Sequence, residues 1–382
     1  MKNFLKRLLY IILFSSIVYT FWSWQGRISA VSEIYPRYVL SEVENFGENT
    51  GHGNILALSP YVHPYDFSSE AAFSNMMSYY FRFIKKKKLF NDSTVVVLPE
   101  HLGTWLVAVN EKKALYKDTS IVDAMHRIAL SNIWSFGWAY LNAKGKDKAE
   151  DAVFRMKAAK MLDAYQHTFS KLAKEFGVTI VAGSIVLPQP EVKDGRIVLN
   201  NGGKLYNVSA VFDRNGNVLT PLTQKNVLTE NEKSFIANAS TMPFQVYTTV
   251  AGKLGVLIST DAWYPENYIA LQKRQATLIA VPSFTAGATV WDSLWNGYNG
   301  GTTPIDVDKN DIRRITEREA WLKYAMTGRV NATNIKKAVN VFLQGSLWRI
   351  GTAGNTLIWN IDKPIVAAET EPQTGSLINV WL

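Results

Sequence analysis

The chain opens on a short basic stretch, and the next seventeen residues, 8–24, carry no charge. Wound as a helix at 1.5 Å per residue, that run nearly crosses a ~30 Å hydrocarbon core. From residue 54 onward, short continuous apolar runs alternate with longer stretches whose apolar positions recur at helical spacing. Residues 55–59, 94–98 and 178–182 read as buried strands, the first two stopped by Pro60 and Pro99. Residues 70–90 read as a helix, and a longer helical stretch reaches about Gly177. A hairpin is expected over 205–212, turning at Asn215-Gly216. The order then repeats, with strands at 254–258 and 276–281 flanking a helix over 265–274, and further strands at 339–343 and 356–359. This alternation predicts an α/β layered sandwich containing a mixed sheet.

Composition narrows the picture. Of 382 residues, 47% are hydrophobic and 19% charged, which fits a folded protein and excludes disorder, collagen-like repeats and coiled coil. There are no cysteines and only five histidines, so disulfides, zinc-thiolate sites and a cysteine nucleophile are excluded and no metal site is expected. The net charge is +9, but Lys2, Lys6, Arg7 and Arg27 supply four of those charges. The surplus left for the remainder makes no basic stripe, and nucleic acid is not expected as a partner.

The uncharged run ends in Tyr19, Phe21, Trp22 and Trp24, aromatic residues that suit a membrane interface better than a signal-peptidase site. A retained signal anchor over residues 1–30 is therefore expected, the alternative being a signal peptide cleaved after Ile28-Ser29-Ala30. Positive charge before the span keeps the amino terminus in the cytoplasm and exports the rest, a placement expected to be periplasmic. Residues 31–53 read as a juxtamembrane linker and 54–382 as the exported domain. Within it, residues 128–141 are uncharged and hold Trp134, Phe136, Trp138 and Tyr140. That segment is too short to span a bilayer and reads either as a buried helix or as an interfacial element. The run Lys85 to Lys88 reads as a solvated helix end or as a contact for anionic headgroups.

Polar groups follow three apolar strands, where open α/β sheets build their sites. Glu100 follows Pro99; Lys225 follows the 215–216 turn, with Glu230 and Glu232 beyond; and Ser259, Thr260, Asp261, Trp263, Tyr264 and Glu266 follow the strand at 254–258. A buried Glu100 needs a cationic partner, and Lys225 is the candidate. Asp261 is expected to cap the helix that follows it. Trp263 and Tyr264 either line a pocket or pack in the core.

Taken in order, these motifs resemble the nitrilase, or carbon-nitrogen hydrolase, superfamily over residues 55–359. Leu98-Pro99-Glu100 is similar to the family's general-base motif, Tyr206-Asn207 through Lys225 to its lysine hairpin, and Leu228-Thr229 with Glu232 to its auxiliary acid. Gly183-Ser184, Val281-Pro282-Ser283 and Gly328-Arg329 match further family positions. Ser259-Thr260-Asp261 with Pro265-Glu266 is similar to the nucleophile motif, with serine where the family has cysteine. The resemblance implies a four-layer α-β-β-α sandwich and a homodimer. It also implies attack on an amide, nitrile or acyl carbon without metal or organic cofactor. Glu100, Lys225, Ser259 and Glu232 are then the catalytic candidates, and Thr260, Trp263 and Tyr264 the substrate-binding ones. From Glu100 to Gly183 the chain is longer than the family needs, which points to a Trp-rich insertion over about 101–177.

A serine hydroxyl is a far weaker acid than a thiol, whose pKa lies near 8.5. Three explanations of Ser259 stand open: a silent pseudoenzyme that keeps the pocket for binding, an introduced change, or an altered serine chemistry. A Ser259–His101–Asp261 triad is not expected, because Glu100 already takes the inward direction beside His101.

Overall fold

The computed structural model describes residues 1–27, 38–41, 43–239, 244–360, 363–367 and 373–382. The site weighed for cleavage at 28–30, and most of the linker before residue 38, lie outside the described residues.

Two six-stranded sheets stack face to face. In the first, strands Asn54–Ser59, Thr94–Val97 and Thr179–Val181 run parallel, with Ile55 opposite Val95 and Val95 opposite Thr179. In the second, Gly252–Val256, Leu278–Ser283 and Lys337–Phe342 run parallel in the same way. Their continuous apolar runs are explained by burial on both faces. Ile55, Ala57, Val95 and Val97 meet Leu254, Val256, Leu278 and Val339 between the sheets. The alternate residues Leu56, Leu58 and Val96 face an outer layer built from Phe73, Met77, Tyr165 and Phe169. That layer comprises helices Glu70–Lys86 and Lys148–Phe176. The outer face of the second sheet packs against Tyr268, Leu271, Trp321 and Val330 of helices Pro265–Lys273, Glu317–Tyr324 and Met326–Val330. The order of layers is helix, sheet, sheet, helix, as expected.

Three expectations need correction. The linker contains a strand, Glu44–Phe46, which pairs in parallel with Ser376–Trp381 at the edge of the first sheet, so the domain begins before residue 54. The range 101–177 expected to be an insertion also includes part of the layered core. Lys148–Phe176 belongs to the outer helical layer, held by Asp147 at its amino end and by left-handed Gly177 at its carboxyl end. Between Glu100 and that helix lie two short 3-10 turns and the helices Ile121–Ser131 and Ile133–Asn142. Finally, the predicted hairpin divides at Ala210. Leu205–Ser209 pairs with Ile185–Pro188 and Thr223–Gln224 in a small antiparallel sheet, while Val211–Phe212 joins the first large sheet. The turn at Asn215-Gly216 is present, closed by the Gly216 N–H on the Asp213 carbonyl.

Helix Lys2–Trp24 has no buried side chain and is long and apolar enough to cross a membrane. Lys85 to Lys88 are exposed at the end of their helix, the solvated arrangement.

Candidate active site

Glu100 and Ser259 sit just past parallel strands of the two large sheets, where open α/β sheets release the chain, and Lys225 sits just past a strand of the small antiparallel sheet. Glu100 follows Thr94–Val97, Lys225 follows Thr223–Gln224, and Ser259 follows Gly252–Val256. Gly183 allows this packing. It has φ +66°, and a Cβ there would lie 2.1 Å from the Pro99 carbonyl oxygen. The neighbouring Ser184 hydroxyl accepts the His101 N–H at 2.8 Å and so pins the turn that carries Glu100.

The side chains converge on Lys225. Its ammonium donates to Glu100 Oε1 at 2.8 Å and to Glu232 Oε2 at 2.7 Å, and all three residues are buried. Asn207 Nδ2 bridges the same two carboxylates at 3.0 and 3.2 Å. Thr229 adds its N–H and hydroxyl to Glu232 at 2.9 and 3.0 Å. Burial by itself would lower the Lys225 pKa, but two adjacent carboxylates outweigh it and hold the ammonium above the ordinary lysine value. For Glu232, burial pushes upward, and Lys225 and His101 together pull the carboxyl well below the usual carboxylate range.

His101 departs from expectation. It occupies the left-handed region at φ +61°, which lets two consecutive side chains face the same site. Its Nε2 lies 3.7 Å from Glu100 and 3.6 Å from Glu232, and its Nδ1 is 3.0 Å from the Thr104 hydroxyl. A Ser–His–Asp triad is nonetheless not assembled, because the Asp261 carboxylate is occupied by backbone. It accepts from Val227 N at 2.8 Å and Asn226 N at 3.1 Å. Asp261 therefore does not cap the following helix, whose first residue is Pro265 and whose cap is Tyr264. Instead it staples the turn after Ser259 to the chain after Lys225. Complete burial pushes its pKa up to about 7, against the opposing pull of those N–H groups and Lys225. The Thr260 hydroxyl reinforces the staple by donating to the Val227 carbonyl, which places Thr260 in the scaffold of the site.

Ser259 itself is buried and left-handed at φ +47°, a conformation costly for any residue but glycine. Trp263 packs in the core, stacked on Trp295 at 5.8 Å and edge-on to Trp321 at 4.8 Å. Arg329 fixes the main chain there, its Nε donating to the Trp263 and Tyr324 carbonyls at 3.2 and 2.9 Å. Tyr264 meets Tyr298 edge-on at 5.7 Å, and its buried hydroxyl has no hydrogen-bond partner among the described residues. The ligand atoms of Glu100, His101 and Glu232 lie within 4.8 Å of one another, a spacing that metal ligands also adopt. Here Lys225 already supplies the cation between the two carboxylates, so a divalent ion would have to displace it.

A buried Glu–Lys–Glu cluster beside a strained residue at a strand end, on a two-sheet sandwich, defines a nitrilase-like protein. A family model described as carbon-nitrogen hydrolase matches residues 91–299, and the chain belongs to that family. Among curated proteins no sequence matches. Solved structures do. An amidase from Nesterenkonia sp. AN1, with acrylamide added to its active-site cysteine, has TM-score 0.53 and 13% identity over 87% of this chain and 93% of its own. A cysteine-to-serine mutant of that amidase, placed in the nitrilase superfamily, has TM-score 0.52 and 14% identity over 87% and 92%. A form carrying the acetamide moiety of fluoroacetamide on the active-site cysteine has TM-score 0.51 and 14% identity over 92% and 93%. At these identities the likeness establishes the fold.

Proposed function

We propose that this is a membrane-anchored acyl-transferring hydrolase that attacks an amide or nitrile carbon, with Ser259 as nucleophile. The observation that carries this reading is the Lys225 ammonium, gripped by Glu100 and Glu232 beside the turn that presents Ser259. Glu100 takes the hydroxyl proton as the Ser259 oxygen bonds to an amide carbonyl carbon. Lys225 and the Thr260 N–H stabilise the negative charge that develops on the carbonyl oxygen. Collapse breaks the carbon–nitrogen bond and Glu100 gives its proton to the leaving amine; Glu100 then takes a proton from water or a second amine as it bonds to the acyl carbon, the bond from that carbon to the Ser259 oxygen breaks, and Glu100 returns the proton to Ser259. Glu232 neither gives nor receives a proton; it holds Lys225 charged. The anchor is the helix Lys2–Trp24, whose first turns carry Lys2, Lys6 and Arg7 ahead of the charge-free run 8–24 and direct the amino terminus inward.

Ser259 also favours a second reading, a silent site that binds without turnover. The two readings separate in one experiment on the full chain, its Ser259→Cys and Ser259→Ala variants, and a Val250→Cys control. Because the chain has no cysteine, each cysteine variant holds a single thiol. Intact-mass kinetics with fluoroacetamide and acrylamide should show adducts forming faster at position 259 than at exposed Val250. Amide turnover by the chain with Ser259, absent in Ser259→Ala, supports serine chemistry. Turnover confined to Ser259→Cys supports the silent site. A thiol at 259 no more reactive than one at 250, with no turnover by any form, overturns both.

A further inference from the structure

The helices Ile121–Ser131 and Ile133–Asn142 are not used by the catalytic cluster, and they carry the domain's largest exposed apolar side chains. Trp134 is 64% exposed, Trp138 73% and Leu141 79%, with Leu130, Ile133 and Tyr140 also exposed. Positions 134, 138 and 141 share one face of the second helix. No charged residue falls between 128 and 141. Outside a membrane such a patch would be an aggregation liability.

The end of the anchor helix is fastened to the joint between these two helices. The Tyr19 hydroxyl donates to the Leu130 carbonyl at 2.8 Å and accepts the Ile133 N–H at 2.8 Å, and its ring meets Trp134 edge-on at 6.0 Å. The Ser23 hydroxyl donates to the Ser131 carbonyl at 2.6 Å. Arg27 reaches the Ser131 carbonyl at 2.7 Å, Asn132 Oδ1 at 3.0 Å and the buried Glu111 carboxylate at 2.9 Å. Lys112 sits 3.5 Å from the centre of the Trp22 ring. Tyr19 precedes the helix end by five residues, or roughly 7–8 Å of rise. The joint at 130–133 is therefore held beside the anchor, below the level at which that helix ends. The charge-free run 8–24 ends in Tyr19, Trp22 and Trp24, residue types favoured in the interfacial layer, so a joint bonded to Tyr19 and Ser23 meets the membrane at that boundary.

We propose that helices 121–131 and 133–142 form a second membrane contact, lying side-on in the headgroup layer of the leaflet from which the anchor emerges. This rests on the reading of residues 2–24 as a membrane anchor. The occupant of the patch is the bilayer, since the patch is continuous with the anchor's own aromatic end. The domain is then held in one orientation on the membrane by a helix through it and a helix pair on it.

Absence of native cysteine makes the test direct. The full chain carrying one of Phe14→Cys, Trp138→Cys, Leu141→Cys or Val250→Cys is nitroxide-labelled and reconstituted in phosphatidylcholine–phosphatidylglycerol bilayers. Collision with oxygen is then compared with collision with a water-soluble nickel chelate. The expected result is an oxygen-to-nickel ratio at 138 and 141 several-fold above that at Val250, with Phe14 higher still. Ratios at 138 and 141 equal to that at Val250, with Phe14 lipid-embedded, overturn the contact and leave the anchor standing. An aqueous Phe14 overturns the anchor and this inference with it. Spin–spin broadening at 138 that grows with protein-to-lipid ratio puts a second copy on the patch and also overturns it.

Discussion

Two buried ion clusters lie on one stretch of chain eleven residues apart, and they are opposites. At Glu100, two carboxylates share the single ammonium of Lys225, with Asn207 bridging them. At Glu111, one carboxylate is shared by two cations, Arg27 at 2.9 Å and Lys157 at 2.6 Å, with Asn132 completing it at 2.9 Å. The first cluster has surplus acid and keeps its lysine charged. In the second, burial outweighs Glu111 and brings Lys157 down to about 8. One arrangement preserves a charge where chemistry would use it; the other fastens a chain segment and has a lysine that can give up its charge.

The largest effect should come from Lys225→Met, which leaves two carboxylates buried without a counter-charge. A loss of about 3–5 kcal/mol is expected from breaking such a cluster, read by urea denaturation. Thiol reactivity at position 259 in the Ser259→Cys background should fall by about two to three orders of magnitude with it. Glu111→Gln should cost less, about 1–3 kcal/mol, because Lys157 can neutralise by losing a proton. Equal losses in the two variants would contradict the contrast.

The smallest effect is a pH dependence. Asp261 is raised from 3.8 to about 7 by burial, so its contribution is full below about pH 4 and is lost as pH rises through 7. Asp66, Glu150 and Glu317, each pushed to about 7 by burial, act in the same direction. Glu232 acts oppositely: its contribution is present above the ordinary value of 4.5 and is lost as pH falls below it. From about pH 8 to about pH 5, therefore, the acids near 7 dominate and urea midpoints should rise. Asp261→Asn should show a smaller rise over that window; an undiminished one would remove Asp261 from the account.

The sequence carried the layers because its strands are apolar on both faces, a pattern that only a doubly covered sheet explains. It carried Glu100, Lys225 and Glu232 because each ends an apolar run or follows a turn, and the structure brings them together. Other features were hidden for physical reasons. The inward turn of His101 depends on a left-handed backbone that no residue type announces. Asn207 lies inside a strand, where an isolated polar residue resembles an edge position; the Tyr-Asn pair was its one signal. Asp261 looked like a helix cap because its true partners, the N–H groups of Asn226 and Val227, are over thirty positions away. The Arg27–Glu111–Lys157 cluster is longer-range still and leaves no local pattern.

The surplus acid around Lys225 has a consequence for product release. In the amide hydrolysis proposed above, the amide would enter the site neutral and the acid cut from it would leave as an anion, in a pocket where two carboxylates face one ammonium. The charge balance that suits removal of a proton from the nucleophile also works against retention of what hydrolysis makes. Clearance of the acyl product in that reaction would then be favoured by the resting electrostatics of the site, without any moving part.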